Sequence, residues 1–411
     1  MQGIEVLDYL KYKISYGIMG EQAGIGFYPG YNTYDISNLN DEISISERNI
    51  GNPELTWETS KMFQTGIEFG LGKFLDGSLD YYMKNTDNLL FDRRVGPSVG
   101  YALITVNDGV LRNSGLEFDL TAHLLDTDDY GLDFTVNGEL LQNKLINMPI
   151  DPATDLPKVI DIASPFGRSE GHSLYDFYMR EWAGVDPANG TGMWYQYFHD
   201  ANSNGVVDSG EGIASMHEWE AENPDKAVSK TVTKTYGSAT QTYIGKSAIP
   251  KVRGGFRLSG RLFNFDASAQ FIYSLGGYAY DNAYAILMNN DQIGSNNWHT
   301  DIYNRWQKPG DITNVPRLSN DYDKNLISTS SRFLTKSDFL SLNNVRIGYT
   351  FPTRWTEKIR VNDLNLFAAG DNLFLLSARD GFNPSTNEAG TSSMYRYSPL
   401  STYTFGLRLR F

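Results

Sequence analysis

The chain has 411 residues, no cysteine, 13% aromatic residues and 39 glycines, and its formal charge is 35 − 49 = −14. The acidic balance argues against a nucleic-acid surface, and the lack of cysteine excludes disulfide scaffolds and thiolate metal sites. No stretch approaches the ~20 apolar residues that a membrane helix needs, so any membrane crossing has to be made by strands.

The N-terminal sequence MQGIEVLDYLKYK has no basic start followed by an apolar core, so it does not resemble a secretory signal. A membrane barrel has to be exported. On that interpretation we expect the chain to be mature, truncated or a fragment, and we favour a fragment.

Residues 5–19 begin a pattern that recurs along the chain. Leu10, Tyr12 and Ile14 fall on one face of an extended strand, whereas Lys11 and Lys13 fall on the other, because side chains alternate with a period of two. Segments of this kind, with a hairpin around the turn sequence DPANGTG, predict twelve strands. They are 5–19, 63–71, 78–84, 116–124, 132–140, 173–184, 192–199, 256–262, 265–275, 338–350, 362–376 and 401–411.

The last ten residues, 402–411, show the two faces most clearly. A strand of a soluble sandwich would not usually run to the final residue and stop on an exposed aromatic side chain, whereas the closing strand of a membrane barrel would. Its apolar face would meet lipid and its polar face a water-filled lumen. The apolar residues of this closing strand are Tyr403, Phe405, Leu407, Leu409 and Phe411.

The connections between the predicted strands alternate in length. Outer-membrane barrels have short periplasmic turns and long extracellular loops, and this alternation favours a transmembrane antiparallel β-barrel, an all-β fold. A compact soluble domain seldom contains many long structureless loops. The short connections are 71–77, 125–131, 185–191, 262–265 and 351–361, and the long ones are 20–59, 87–110, 144–172, 200–251, 277–337 (with a short helix near 280–288) and 377–400.

Eight motifs in chain order resemble the SusC/RagA family of TonB-linked outer-membrane transporters from Bacteroidetes-type bacteria. The resemblance covers nearly the whole chain, and eight motifs in order are more specific than any one alone. They are NPELTWETSKMFQTGIEFG (52–70), LDYYMKNTDNLL (79–90), VLRNSGLEFDL (110–120), EWAGVDPANGTGMWY (181–195), YIGKSAIPKVRGGF (243–256), FLSLNNVRIGYTFP (339–352), AGDNLFLLSARDGFNPS (369–385) and TYTFGLRLRF (402–411).

The resemblance implies a 22-strand barrel with an N-terminal plug, a TonB-contacting segment (the TonB box) before the plug, and a SusD-like surface lipoprotein as a lid. On this basis residues 1–411 are the C-terminal part of the barrel, about twelve strands, without the plug and the TonB box. The implied function is TonB-dependent import of a glycan or peptide across the outer membrane of a Gram-negative cell, where the barrel contacts lipid. The ligand-binding residues remain unknown at this stage.

Two other function classes remain open. A passive outer-membrane pore or a barrel-borne surface adhesin would need no coupling to TonB. A secreted soluble β-rich binding module would show the same alternation around a dry core. Enzyme motifs are absent: the five histidines lack metal-ligand spacing, and there is no nucleophile elbow or phosphate loop, so we expect no catalytic site.

The segment 200–211, DANSNGVVDSGE, matches the spacing of a calcium-binding loop. Gly205 stands at the sixth position, where such loops bend sharply. Only three of the candidate ligands are carboxylates, so the expected affinity is weak, about 10⁻⁴–10⁻³ M. The alternative is an Asn/Gly-rich loop that matches by composition. The candidate Ca²⁺ ligands are Asp200, Asn202, Asn204, Val206 through its carbonyl group, Asp208 and Glu211.

Aromatic residues cluster in 175–198 and could either stack on sugars or, as we favour, contribute to the interfacial girdle of a barrel. The cluster comprises Tyr175, Phe177, Tyr178, Trp182, Trp194, Tyr195, Tyr197 and Phe198.

Overall fold

The structure is a computed structural model, which describes residues 6–22, 27–94, 103–151, 154–290, 293–294, 297–320, 322–386, 390–391 and 397–411. The start of the predicted first strand and parts of several predicted long connections lie outside these residues. The strands in chain order are β1 Leu7–Glu21, β2 Thr33–Leu39, β3 Glu42–Asn49, β4 Glu58–Leu71, β5 Leu75–Asp87, β6 Leu90–Arg94, β7 Leu103–Asn107, β8 Val110–Asp126, β9 Tyr130–Asn147, β10 Ile150–Asp151, β11 Leu156–Pro157, β12 Asp161–Ala163, β13 Phe166–Arg168, β14 Asp176–Arg180, β15 Trp182–Val185, β16 Gly192–Phe198, β17 Gly212–Ile213, β18 Ser229–Thr233, β19 Gln241–Ser247, β20 Val252–Leu262, β21 Phe265–Leu275, β22 Tyr278–Tyr280, β23 Leu334–Lys336, β24 Phe339–Thr350, β25 Asp363–Ser377 and β26 Thr402–Arg410.

Helical segments are few and short. The α-helices are α1 Met216–Glu222, α2 Asn282–Leu287 and α3 Thr353–Thr356, and single 3₁₀ turns lie at Tyr236–Ser238, Thr300–Asn304, Ser331–Phe333, Glu357–Ile359 and Pro384–Thr386. Helix α2 confirms the short helical stretch predicted near 280–288. Among the described residues, no helix combines the length and the apolar character that a membrane-spanning helix requires.

Ten long strands form one antiparallel sheet in the order β1-β4-β5-β8-β9-β20-β21-β24-β25-β26. Each strand pairs with the next long strand of the chain, which is an up-and-down meander. The connections alternate between tight turns, such as the one between Leu71 and Leu75, and long excursions, such as the one between Asn147 and Val252. The predicted alternation of short and long connections is therefore confirmed, and the two ends of the sheet are called here the short-turn end and the long-loop end.

The prediction of twelve barrel strands is wrong by two, because 173–184 and 192–199 lie outside the ten-stranded sheet. Strand β15 does pair with β16 across the predicted turn, so the local hairpin is correct. These strands are short, however, and the consecutive residues Phe177, Tyr178 and Met179 are all buried. A strand buried on both sides lies inside a packed unit, and turn composition does not reveal which sheet a hairpin joins.

The sequence predicted long loops without secondary structure, but the long connections contain short strands. They contain the strand pairs β2–β3, β6–β7, β10–β11 and β22–β23, and two further small sheets built from β12–β13–β14–β19 and from β15–β16–β17 with β18 on β16. The predicted loops 144–172 and 200–251 belong to a single excursion between β9 and β20. Short paired segments satisfy backbone hydrogen bonds that a long bare loop would leave to water.

The register places apolar and polar side chains on opposite faces of the ten-stranded sheet. Tyr12 lies opposite Ile67, Phe118 pairs with Leu79, and Phe405 pairs with Ala368. We call this side the apolar face and the other the polar face. Tyr12, Ile14 and Tyr16 are each 64% exposed and Phe405 is 83% exposed, so none of the residues that the structure describes covers these apolar side chains. A large uncovered apolar surface indicates contact with a partner or a membrane.

The buried core lies in the long excursions. Phe177 and Met179, in the excursion between β9 and β20, have 0% exposure and pack with Met288, Ile302 and Phe333 from the excursion between β21 and β24. A second cluster joins Trp194, Ala239 and Leu326. The excursions therefore pack against one another into an assembly with its own core, which we call the loop assembly, at the long-loop end of the sheet.

Candidate functional site

Charged residues line up across the polar face in one row of the register. Cross-strand neighbours on one face lie about 4.5–5.5 Å apart, so such a row forms a continuous polar surface. Lys13 Nζ lies 2.9 Å from Glu68 Oε1 and 3.1 Å from Asp80 Oδ1, which shows how adjacent strands neutralise each other's charges. Successive partners in the row are Lys13, Gly66, Asp80, Glu117, Glu139, Arg253 and Ser274.

Glu139 is the centre of a hydrogen-bonded group in this row. Tyr82 Oη donates to Glu139 Oε1 at 2.5 Å, and Arg253 Nε donates to Glu139 Oε2 at 2.9 Å. Tyr82 reaches Glu139 across strand β8 because Gly115 lies between them, and a Cβ at Gly115 would come within 2.8 Å of Tyr82 Oη. The group fixes one carboxylate and leaves Glu117, its neighbour in the register, exposed.

A cavity of about 610 Å³ lies where this row meets the loop assembly. It is large enough for a small ligand, because such pockets usually measure about 300–1,000 Å³. Carboxylate, guanidinium, hydroxyl and aromatic groups together can hydrogen bond to and stack on a polar solute. The lining residues used below are Glu117, Glu139, Arg253 and Ser274 from the sheet, with Pro250, Tyr278 and Pro384 from the loops.

Two further groups of charges on the polar face are paired laterally. His123 is hydrogen bonded to Asp133 Oδ1 through Nδ1 at 2.7 Å and to Asp76 Oδ2 through Nε2 at 3.1 Å. Arg346 contacts Asp266 on the neighbouring strand. Such groups would be costly in a dry core without water, so this side of the sheet suits a wet interior.

The candidate calcium loop folds back on itself between β16 and β17. The two carboxylate oxygens of Asp200 accept hydrogen bonds from the backbone of Asn204 at 3.0 Å and of Gly205 at 2.8 Å. Asp208 Oδ2 accepts from the side-chain amides of Asn202 at 2.7 Å and Asn204 at 2.8 Å. Four of the five predicted ligand side chains therefore converge, and the positive φ of Gly205 gives the expected bend.

Glu211 closes the loop on its first residues. Its carboxylate accepts from the backbone N–H of Ala201 at 3.1 Å and of Asp208 at 3.0 Å. A strand precedes the loop, as the sequence indicated, and helix α1 follows it. Within the described ranges, however, no three His, Asp or Glu side chains form a group that could hold a metal ion, so amide and backbone oxygens would have to complete any site.

The predicted closing strand forms β26, and its apolar residues lie on the apolar face. Tyr403 pairs with Gly370, Leu407 with Leu366 and Leu409 with Leu364, while Phe411 follows the last paired residue. All five predicted residues, including Phe405, are exposed. Strands β1 and β26 are the two outermost strands of the sheet among the described residues.

The aromatic cluster at 175–198 neither forms a sugar platform nor joins an interfacial girdle at its core positions. Phe177, Tyr178, Trp194 and Phe198 are at most 2% exposed and belong to the interior of the loop assembly. The ring of Trp194 packs edge-on against Trp182, with ring centres 5.4 Å apart. Sequence alone missed this role because a buried loop domain and a girdle have the same aromatic composition.

A polar cluster joins two distant parts of the loop assembly. The ring of Tyr243 stacks on His172 with ring centres 3.7 Å apart, and Tyr243 Oη is hydrogen bonded to Ser169 Oγ at 2.6 Å. Burial raises the pKa of Tyr243 to about 12, so its hydroxyl group stays protonated at neutral pH. Burial also lowers the pKa of His217, which packs beside this pair and is held neutral.

The sequence named no ligand-binding residue, and the structure shows why the cavity was missed. Glu139 and Arg253 are 114 positions apart in the chain, and Tyr82 is 57 positions from Glu139. The alternation of apolar and polar residues along each strand indicated only that these three side chains lie on the polar face. Only the register of β5, β8, β9 and β20 brings the three together.

Comparison with known proteins agrees with this architecture. Residues 19–144 match the family model described as TonB dependent receptor-like, beta-barrel. This part of the chain is thus similar to the barrel of that family. The predicted all-β barrel class and the resemblance to SusC and RagA are thereby confirmed, with the chain as a partial barrel.

Several relatives match the chain along its whole length. The chain is 25% identical to TonB-dependent receptor P39 of Formosa agariphila and 24% identical to TonB-dependent receptor SusC of Bacteroides thetaiotaomicron, with all of the chain covered in both cases. The alignments cover 41% of P39 and 38% of SusC. The chain therefore spans about two fifths of the length of these relatives.

A solved structure shows the same fold. The RagAB peptide importer in the "closed-closed" state superimposes with a TM-score of 0.80 at 23% identity, over 99% of this chain and 41% of the importer chain. The fold described above is thus shared with part of a longer chain.

Proposed function

We propose that the chain is the C-terminal part of the barrel of an outer-membrane importer, which takes up a glycan or peptide with TonB-supplied energy. The observation that carries the proposal is the sheet with two faces, one apolar and not covered by the described residues, the other charged and polar. Lipid satisfies the first face and a water-filled passage satisfies the second.

The cavity beside Glu139 and Arg253 gives the proposed passage a place to hold a solute. A ligand there would meet a paired carboxylate, an exposed carboxylate at Glu117 and the ring of Tyr278. Hydroxyl groups of a sugar or amide groups of a peptide can hydrogen bond to these side chains. The proposed chemistry is binding and passage, with no catalytic step.

The partners are proposed from the relatives. RagAB is named as a peptide importer, and SusC as a TonB-dependent receptor. We propose that a SusD-like lipoprotein covers the long-loop end and that TonB supplies energy through a plug and a TonB box. The outer membrane of a Gram-negative cell is the proposed location.

Uptake by cells that carry the gene, compared with a deletion strain, tests the function. Labelled oligosaccharides and peptides are supplied with and without a protonophore, which abolishes energy-coupled import and spares a passive pore. Ser274→Trp places a large ring in the cavity and should lower uptake about tenfold, which corresponds to about 1.4 kcal/mol of lost binding. Ser268→Trp, on the same strand and face but outside the cavity lining, is the matched control.

Uptake that survives the protonophore would favour a pore over an importer. Equal uptake by the Ser274→Trp and Ser268→Trp variants would remove the cavity from the proposed passage. Both variants need to be present in the outer membrane in equal amounts, which protease protection of whole cells can measure.

We also propose that residues 200–211 bind Ca²⁺ weakly. The convergence of Asp200, Asn202, Asn204 and Asp208 supports this, because their oxygens suit a hard cation. The ion would stiffen the loop between β16 and α1. It would take no part in transport chemistry.

Limited proteolysis tests the calcium proposal. Millimolar Ca²⁺ should slow cleavage within residues 200–250 of the unmodified protein, and Asp200→Ala combined with Glu211→Ala should abolish that protection. The control is Asp225→Ala, which removes an exposed carboxylate of the same excursion outside the loop. This variant should keep the protection by Ca²⁺. Identical digestion of the unmodified protein with and without Ca²⁺ would contradict the proposal.

A further inference from the structure

The apolar face contains a groove of about 550 Å³ near the short-turn end of strands β21, β24, β25 and β26. Seven side chains of the apolar face line it. Ala368 lies between Ile347 and Phe405 in the register, so a small residue is flanked by two large ones. The seven are Phe265, Ile347, Tyr349, Leu366, Ala368, Phe405 and Leu407.

The groove lies close to the end of the strands. Phe265 is the first residue of β21, and Tyr349 is the second from the end of β24. At about 3.3 Å per residue, the groove lies within roughly 10 Å of the short turns. If the apolar face meets lipid, as the proposed function requires, the groove faces the acyl chains of the leaflet at that end.

A series of aromatic contacts leads from the groove to the rim. The ring of Tyr349 packs against Phe265 with centres 4.6 Å apart and against Phe351 with centres 5.0 Å apart. Phe351 in turn lies 6.3 Å from Trp355, which is half exposed. Aromatic side chains favour the interface between hydrocarbon and headgroups, so this series spans that boundary.

The series ends on a cation. The guanidinium carbon of Arg354 lies 5.7 Å from the centre of the Trp355 ring. Arg354, Lys358 and Arg360 are all exposed on the 351–361 turn, and in the described part of the chain no carboxylate pairs with any of them. One acid, Glu357, stands on the same turn, so the turn keeps a net positive charge that suits a phosphate group.

We propose that this groove holds one acyl chain of a phospholipid whose phosphate group lies against Arg354. The apolar groove, the aromatic series and the unpaired cations follow one another in the order in which a phospholipid presents its chain, interface and headgroup. The lipid would be a bound component of the barrel, in contrast to the exchanging lipids around it. The inference rests on the proposed membrane location.

Native mass spectrometry of the detergent-extracted protein tests the inference. The probe is palmitoyl-oleoyl phosphatidylglycerol titrated into delipidated protein. We expect one molecule to bind ahead of all others, and Ala368→Trp, which fills the groove, to weaken this binding at least tenfold. Arg354→Gln alters only the exposed turn and should weaken it as well, without disturbing the strands.

Ala122→Trp is the matched control, because Ala122 lies on the apolar face near the short-turn end of β8, several strands from the groove. It should bind lipid as the unmodified protein does. Equal binding by all variants, or equal loss in both tryptophan variants, would overturn the inference. A dimer that dissociates in Ala368→Trp would show that a second copy covers the groove, which also overturns it.

The outcome separates this inference from the proposed function. A protein that is monodisperse and folded without detergent would refute the membrane location itself. A detergent-dependent barrel that retains no stoichiometric lipid would refute only the bound phospholipid.

Discussion

Replacing Leu120 with Arg is expected to destabilise the folded barrel by about 2–4 kcal/mol, the cost of a basic side chain near the middle of a lipid-facing apolar band. Leu120 lies on the apolar face of β8, between Phe118 and Ala122, and pairs with Val136. The expected consequence is a lower denaturant midpoint in lipid vesicles and less heat-modifiable protein in the outer membrane.

The neighbouring residue provides the control. Thr121 points to the polar face, where its hydroxyl group is hydrogen bonded to that of Thr135 at 3.0 Å. Thr121→Arg should therefore cost only that hydrogen bond, about 1 kcal/mol, because the guanidinium group stays in water. If the two substitutions destabilise the protein equally, the apolar face does not meet hydrocarbon.

Trp194→Ala is expected to destabilise the loop assembly by about 3–5 kcal/mol, the usual cost of removing a buried aromatic side chain. Trp194 is 1% exposed and contacts both Trp182 and Tyr236 through edge-on ring packing. The ten-stranded sheet does not contain it, so the loss should remain local. Hydrogen exchange should accelerate in β15, β16 and β18 and stay slow in β8 and β9.

A milder substitution shows what Trp194 contributes. Its Nε1 is buried and has no hydrogen-bond partner in the described ranges, so Trp194→Phe keeps an aromatic ring and removes an unsatisfied polar group. We expect it to cost less than Trp194→Ala. Tyr303→Ala, at a side chain that is 75% exposed, should leave exchange unchanged. Loss of the whole sheet in Trp194→Ala would show that the two parts fold as one unit.

The two predictions separate two sources of stability in one chain. The sheet places its apolar residues outward and needs an external apolar phase to cover them. The loop assembly buries its own apolar residues, as Phe177 and Met179 show, and needs only water around it. A substitution on the apolar face of the sheet therefore tests contact with the membrane, whereas a substitution in the loop assembly tests side-chain packing.

The alternation of side chains by itself predicted the ten long strands, among twelve in all, with their two faces and the alternation of short and long connections. It did so because a strand between lipid and water has to change polarity at every residue, and that period is visible without knowing any partner. The position of β26, with Tyr403 to Leu409 on the apolar face, follows from the same rule. The calcium spacing of 200–211 is likewise a local pattern.

Only the tertiary structure decided where the remaining residues go. The hairpin of β15 and β16 has a correct local turn, yet its strands pack in the loop assembly, because burial on both sides depends on contacts from residues such as Leu326. The group of Tyr82, Glu139 and Arg253 depends on the register of four strands, and the groove at Ala368 on the neighbours that each strand receives. Such contacts between distant residues leave no periodic signal in the sequence.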